Sequence, residues 1–298
     1  MYLEHFGLEQ PPFTITPDTG FFLDHGSHRE AMNVLRLALQ SGEGFIKVTG
    51  EVGTGKTLLC RQLLNTLDDN FVTAYIPNPC LDPVALSMSL ASELGIKFAH
   101  NIGHHRLLQR ITKRLIELNG AGRQVALLLD EAQSIPDDSM EALRLLTNLE
   151  TEKDKLLQVV LFGQPELDQR LQQDNMRQLR QRILFNYTLQ PLDRETLAIY
   201  LNHRLLVAGY RGAPLFTRRA LKLLHRNSHG IPRLINILGH KALMSAYGRG
   251  DRVIRPQHIR HASADTGDTR PYRPRSCHAT GQVSMLGVAG TGLFTAWY

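Results

Sequence analysis

Residues 50–57 read Gly50-Glu51-Val52-Gly53-Thr54-Gly55-Lys56-Thr57, a complete GxxxxGK[ST] phosphate loop. Its glycines let the backbone turn so that successive N–H groups converge on phosphate oxygens, and a helix that follows would add the positive end of its dipole. Lys56 is then placed to reach the β- and γ-phosphates, and the Thr57 hydroxyl to ligate Mg²⁺. Chemistry of this kind points to ATP with Mg²⁺ and to hydrolysis of the γ-phosphate.

A second group of residues supports that chemistry. Val125-Ala126-Leu127-Leu128-Leu129-Asp130-Glu131 is an apolar run ending in two carboxylates. An open α/β sheet presents its ligand crevice at such strand ends. Asp130 is placed to hold Mg²⁺, and Glu131 to act as general base towards the attacking water. Phe162-Gly163-Gln164-Pro165 closes the next apolar run, so Gln164 either senses the γ-phosphate and the water or caps the helix that begins at Pro165. Arg177-Gln178-Leu179-Arg180-Gln181-Arg182 is either a solvated basic face or the source of a finger reaching a neighbouring subunit's γ-phosphate. Arg182 is favoured over Arg180 because it lies nearer the following strand. Gly230-Ile231-Pro232-Arg233 opens a helix with proline in its first turn, which would project Arg233 towards the phosphates.

The elements needed to hold these residues are legible in the hydrophobic spacing. Helical periodicity covers residues 28–40, 56–67, 83–94, 107–118 and 139–149, and short β-prone runs cover 45–49, 71–76, 125–129, 156–162 and 185–192. Strands alternating with helices predict a five-stranded parallel sheet with helices on both faces. Residues 194–208, 217–227 and 232–247 show helical spacing with no strand between them, which predicts a small helical lid domain. The expected organisation is an N-terminal arm at 1–27, an ATPase core at 28–192, the lid at 193–261 and a disordered or irregular tail at 262–298. In the arm, Phe6, Phe13, Phe21 and Phe22 lie among prolines and must pack onto something, a sheet edge or a nucleotide base.

Composition narrows the classes. The 298 residues are 42% hydrophobic and 21% charged, an ordinary globular balance, and the net charge of +6 suits an anionic partner: nucleotide, nucleic acid or membrane face. Cys60, Cys80 and Cys277 have neither disulfide-framework nor zinc-ligand spacing, and the thirteen histidines, His104-His105 included, lack ligand partners at suitable spacing. No secretory leader pattern opens the chain, and no run approaches the about 18 apolar residues of a spanning helix. The expected location is the cytoplasmic side, unless a partner recruits the chain elsewhere.

Taken together, FGL…PF…PD, GEVGTGKT, LLLDEAQ, LFGQPEL, LRQRI and GIPRLIN, spread over residues 1–261, resemble the ExeA/GspA group of AAA+ ATPases, its MSHA-pilus type nearest. The resemblance implies a RecA-like AAA+ P-loop core with a helical lid. Lys56 and Thr57 would be Walker A, Asp130 and Glu131 Walker B, Gln164 sensor 1, Arg182 the candidate finger and Arg233 sensor 2. It also implies a homo-oligomeric ring and partners among inner-membrane proteins that assemble a type IV pilus or type II secretion apparatus. Longer members of the group carry a transmembrane helix and a peptidoglycan-binding domain, and neither is found in these residues. Two alternatives stay open on sequence. One is a DNA-dependent regulator like the transposition helper ATPases, using arginines at 218, 219, 226, 249, 252, 255 and 260. The other is a scaffold that binds ATP without hydrolysing it.

Overall fold

A computed structural model describes residues 1–99, 102–150 and 155–267. Five strands, β1 (Phe45–Gly50), β2 (Phe71–Ile76), β3 (Gln124–Leu129), β4 (Gln158–Gly163) and β5 (Ile183–Leu189), form one sheet in the order β2-β3-β4-β1-β5. All four neighbouring pairs are parallel. The chain leaves β1 to build outwards at β2 and returns through β3 and β4, so the C-terminal ends of β3, β4 and β1 lie side by side.

The uninterrupted apolar run in β3 follows from burial on both faces. Val125, Leu127 and Leu129 join one core cluster, while Ala126 and Leu128 join the cluster on the other face. In β4, Val159 and Leu161 alternate in the same way with Val160 and Phe162. Helix α2 (Gly26–Gln40) and helix α3 (Lys56–Thr66) cover one face through Ala31, Leu35, Leu39, Leu59 and Leu63. The other face is covered by α4 (Pro83–Glu93), α5 (His104–Gly120) and α6 (Asp137–Leu146), with α7 (Pro165–Leu171) and the short α8 (Arg177–Arg180) adding Leu167, Leu171 and Leu179. This is the five-stranded parallel sheet with helices on both faces expected from the spacing, arranged as the family resemblance implies.

Two strand limits differ from the sequence expectation. β4 begins at Gln158, after Leu156 and Leu157 have entered the core as loop residues. β5 ends at Leu189 because Leu192 has left the sheet: its N–H donates to Gly230 O at 2.8 Å and its side chain packs into the helical domain.

That domain holds α9 (Arg194–Val207), α10 (Arg218–Ser228), α11 (Pro232–Tyr247) and α12 (Pro256–Ala264). The fourth helix is an addition to the three read from periodicity, and it runs across the boundary placed at 261. Beyond it Lys241 pairs with Asp265 at 2.7 Å, so residues 262–267 are tied to the lid. The rest of the expected tail, 268–298, lies outside the described residues.

The N-terminal arm packs mainly onto the helical domain, with Phe22 alone of its four phenylalanines packed against the cluster that α2 and α3 form on the sheet. A short helix, α1 (Tyr2–Phe6), and the residues after it place Phe6, Leu8, Phe13 and Phe21 in the same cluster as Leu197, Leu201, Leu238 and Ala242 of the lid. The arm is therefore part of the lid's core, although about 170 residues of chain separate them in sequence.

Candidate nucleotide site

The loop between β1 and α3 needs its glycines for backbone reasons. Gly53 has φ 83° and Gly55 φ 100°, a region that costs a residue with a Cβ. Space is also taken: a Cβ at Gly53 would lie 2.6 Å from the Cβ of Arg233, and one at Gly55 2.9 Å from Nε2 of His28. Lys56 begins α3 and is only 6% exposed, its Nζ donating to Gly50 O at 2.8 Å and Glu51 O at 3.0 Å. Burial holds its pKa below the ordinary lysine value, against the pull of Glu131, Asp130, Glu51 and Glu166, which favour the cation.

Thr57 and Asp130 meet across the gap between α3 and the tip of β3, the hydroxyl donating to Asp130 Oδ2 at 2.6 Å. The other carboxylate oxygen accepts from the Glu131 N–H at 3.0 Å. Burial raises the Asp130 pKa, while the Thr57 and Glu131 hydrogen bonds oppose that rise by favouring the carboxylate.

Glu131 has φ 51° and ψ 39°, one of two non-glycine residues with positive φ among the described residues. A left-handed glutamate costs on the order of 1–2 kcal/mol. The conformation is held by the Ser134 N–H and hydroxyl, which donate to the Glu131 carbonyl at 2.9 and 2.8 Å. It directs the carboxylate towards β4, where Gln164 Nε2 donates to Glu131 Oε2 at 3.0 Å. Gln133 Nε2 donates to the same oxygen, and Gln133 Oε1 accepts from the Gln164 N–H at 3.0 Å. Of the two readings open for Gln164, its side chain makes the Glu131 contact and no cap bond to the helix at Pro165–Leu171.

The lid closes the other side. The Arg233 N–H donates to Gly53 O at 3.1 Å, which ties the start of α11 to the phosphate loop, and the Arg233 side chain is exposed. A cavity of about 300 Å³ runs from Lys56, Thr57, Glu131 and Gln164 past Arg233 to the arm at Thr14–Asp18. Gly50, Glu51, Val52 and Thr54 complete the loop around it; the Thr54 hydroxyl donates to Glu51 O at 2.8 Å.

Arg180 and Arg182 are not brought to this cavity. They precede β5, whose first residue is in register with Phe45 at the start of β1, whereas the phosphate loop follows the other end of that strand. The strand between them rises about 3.3 Å per residue, which puts these arginines roughly 20 Å away, at the opposite rim of the sheet.

Three residues of the site carried no role in the sequence reading. Gln133 bridges Glu131 and Gln164, and only its place two residues after the glutamate could have drawn notice. His28 is 9% exposed and its Nε2 lies 2.9 Å from Thr54 O; a carbonyl only accepts, so this nitrogen carries the proton. Burial lowers its pKa and keeps the ring neutral. Arg204 is 4% exposed, and its guanidinium donates to Pro12 O at 2.5 Å, the Tyr200 hydroxyl at 3.2 Å and Thr14 Oγ1 at 3.3 Å while stacking 4.5 Å over Phe21. No carboxylate is paired with it among the described residues.

A parallel 2-3-4-1-5 sheet, a glycine-rich loop before α3 and a helical lid resting on that loop define an AAA+ P-loop NTPase fold. Residues 39–171 match the AAA domain family. Over 254 residues the chain is 45% identical to General secretion pathway protein A of Aeromonas hydrophila, an alignment covering 85% of this chain and 46% of that relative. Across this stretch the chain is similar to General secretion pathway protein A, and it spans a little under half of that relative's length. The fold is shared with CDC6P of Pyrobaculum aerophilum at TM-score 0.64 and 18% identity, covering 84% of this chain and 71% of that one. It is shared also with the Aeropyrum pernix ORC2 protein in its ADPNP-ADP complexes, at TM-score 0.59 and 17% identity, covering 82% and 67%.

Proposed function

We propose that this protein binds ATP with Mg²⁺ and hydrolyses it to ADP and phosphate. The observation that supports this most directly is the convergence of Lys56, Thr57, Glu131 and Gln164 on one cavity from the ends of three adjacent strands, with Asp130 hydrogen-bonded to Thr57. In this reading the loop N–H groups from Gly53 to Thr57 and the start of α3 receive the β-phosphate. Lys56 exchanges its carbonyl partners for phosphate oxygens, and desolvation of its ammonium strengthens that attraction. Thr57 and Asp130 offer the hard oxygen donors that Mg²⁺ takes beside nucleotide phosphates. The metal's contribution, when bound, is to neutralise charge on those phosphates.

Glu131 takes the proton of the attacking water, and its two amide partners hold the carboxylate in place beforehand. Arg233 approaches the phosphates from the lid, and the base lies towards Thr14–Asp18. Arg182, with Arg180 behind it, faces away from its own cavity, so a finger role requires a second copy whose site it completes. This favours a homo-oligomer assembled head to tail.

The cellular role we infer is assistance to a secretion or type IV, MSHA-like pilus assembly apparatus. It rests on similarity to General secretion pathway protein A and on the motifs quoted above. That role, with its need for ATP, would place the protein on the cytoplasmic face beside inner-membrane partners; no helix among the described residues is long and apolar enough to cross a membrane.

The test is phosphate release by wild type beside Lys56→Ala and Glu131→Gln. Both variants should lose turnover, and Glu131→Gln should still bind ATP. Turnover unchanged in Glu131→Gln would remove the general-base assignment. Wild type that binds ATP without releasing phosphate would leave a non-hydrolysing scaffold.

A further inference from the structure

The charge of this chain is divided unevenly. Residues 193–261 carry thirteen Lys and Arg against three acidic residues, while residues 1–192 carry eighteen against twenty-three. The net positive charge therefore belongs to the helical domain, and the nucleotide-site half is acidic.

Within that domain the cations gather on one layer. The starts of α10 and α12 are joined by a parallel bridge, with the Thr217 N–H donating to Ile254 O at 3.0 Å and the Ile254 N–H to Leu215 O at 2.8 Å. Their far ends are joined by Asn227 Nδ2 donating to Ser263 Oγ at 2.7 Å. The two helices thus run side by side in the same direction. Both bury their apolar stripes, Ala220 with Leu224 and Ile259 with Ala262, in one cluster with α11. Their outer stripes consequently look out from the same side.

Those stripes are cationic. Arg218, Lys222 and Arg226 repeat every fourth residue along α10 with Arg219 beside them, while Arg252 and Arg255 precede α12 and Arg260 lies within it; all seven are exposed. Among the described residues none is in an ion pair. Two carboxylates next to α12 are engaged elsewhere, Asp251 with His258 at 3.1 Å and Asp265 with Lys241 at 2.7 Å. Like charges one turn apart disfavour a helix, and cations at a helix start oppose its dipole. Neither α10 nor α12 has an acidic residue in its first turn to relieve this. An external polyanion would.

We propose that the outer layer formed by α10, α12 and the segment before α12 docks the phosphate backbone of duplex nucleic acid. Six of the seven cations are arginines, whose planar fork fits phosphate oxygens in pairs. They are mounted on a rigid two-helix plate that extends about 16 Å along α10, a form suited to a stiff, regular array of phosphates. A membrane surface fits less well, because an interfacial helix needs large apolar side chains to bury and this layer exposes only Val253. With no element offered to read base edges, binding should be indifferent to sequence.

The experiment uses the full chain and a labelled duplex of mixed sequence, with anisotropy followed across a salt series, and anionic phosphatidylserine vesicles in a parallel sedimentation arm. Duplex binding should weaken linearly with log salt, by about 0.9 in slope for each phosphate contacted. Combined Arg218→Gln, Arg219→Gln, Arg252→Gln and Arg255→Gln should flatten the slope by roughly 3 to 4 and weaken binding on the order of a hundredfold. The same variant should keep wild-type thermal unfolding and ATP affinity. A control with Arg36, Arg106, Lys113 and Arg123 changed to Gln removes equal charge from the other half and should bind duplex like wild type. The proposal is overturned by absence of duplex binding at low salt, by equal losses in the two variants, or by capture on vesicles without capture on duplex.

Discussion

Gln164 and Glu131, from the tips of adjacent strands, share a 3.0 Å hydrogen bond in which the amide Nε2 donates to the carboxylate. The glutamate is thereby gripped by the residue that would also meet the γ-phosphate. A change in phosphate occupancy that draws Gln164 away would release the carboxylate, and Gln133 holds the same oxygen from the other side.

If Glu131 is the base, loosening this grip should alter turnover more than affinity. Gln164→Ala and Gln133→Ala should each lower kcat by roughly 10- to 100-fold with ATP Kd nearly unchanged, the size of a lost charge-assisted hydrogen bond. Steady-state phosphate release beside equilibrium titration of ATP checks this. A loss in Kd alone would assign these amides to binding.

Removing Mg²⁺ with a chelator should abolish turnover, and Asp130→Asn should raise the Mg²⁺ concentration needed for half-maximal rate. Thr57→Ala should act in the same direction, because its hydroxyl holds the other corner of the same pair. Magnesium titrations of the three proteins at fixed ATP give the ordering.

His28 supplies a pH signature. Its folded pKa lies below the ordinary 6.5, so the unfolded chain binds the proton more readily. Stability from this group is therefore complete above about pH 6.5 and is lost as the pH falls towards and through the lower folded value. His28→Gln keeps an N–H donor for Thr54 O and should flatten that part of the curve. Denaturant midpoints of the two proteins at neutral and mildly acid pH measure the difference.

Arg204 joins the arm to the lid. Arg204→Met leaves the Pro12 carbonyl and Tyr200 hydroxyl short of a donor, and should cost about 2–5 kcal/mol at one to two unsatisfied buried groups. Because the arm forms the wall at Thr14–Asp18, ATP affinity should fall while tripolyphosphate affinity stays near wild type. Calorimetry with both ligands separates a lost base contact from a general loss of fold.

For Arg182, geometry rules on distance rather than on identity. A finger supplied by a neighbour predicts that specific activity rises with protein concentration and that Arg182→Ala loses this rise while binding ATP normally. Turnover independent of concentration in wild type would end the trans reading.

The chemistry of the phosphate loop and the two carboxylates was legible in the chain because those residues are contiguous and the backbone around them is local: glycines at the turn, lysine and threonine at the helix start, aspartate and glutamate at a strand end. The five strands were legible for a related reason. A parallel strand buried on both faces must be apolar throughout, as Val125 to Leu129 are. Strand limits at β4 and β5 were less so, since Leu156, Leu157 and Leu192 are apolar for reasons of packing outside the sheet. The helix at Pro256–Ala264 was hidden by its small, polar composition, and it forms because Ile259 and Ala262 find a partner in α11.

What tertiary structure alone decided are the contacts between residues far apart in the chain. Nothing local says that Phe13 and Arg204 share a core, that His28 steadies Thr54, or that Gln133 spans the space between Glu131 and Gln164. Sequence determines a motif when one stretch of backbone can make it unaided. These pairings depend instead on the placing of β4 between β3 and β1, and on a lid that folds back over the loop, which are properties of the packed whole.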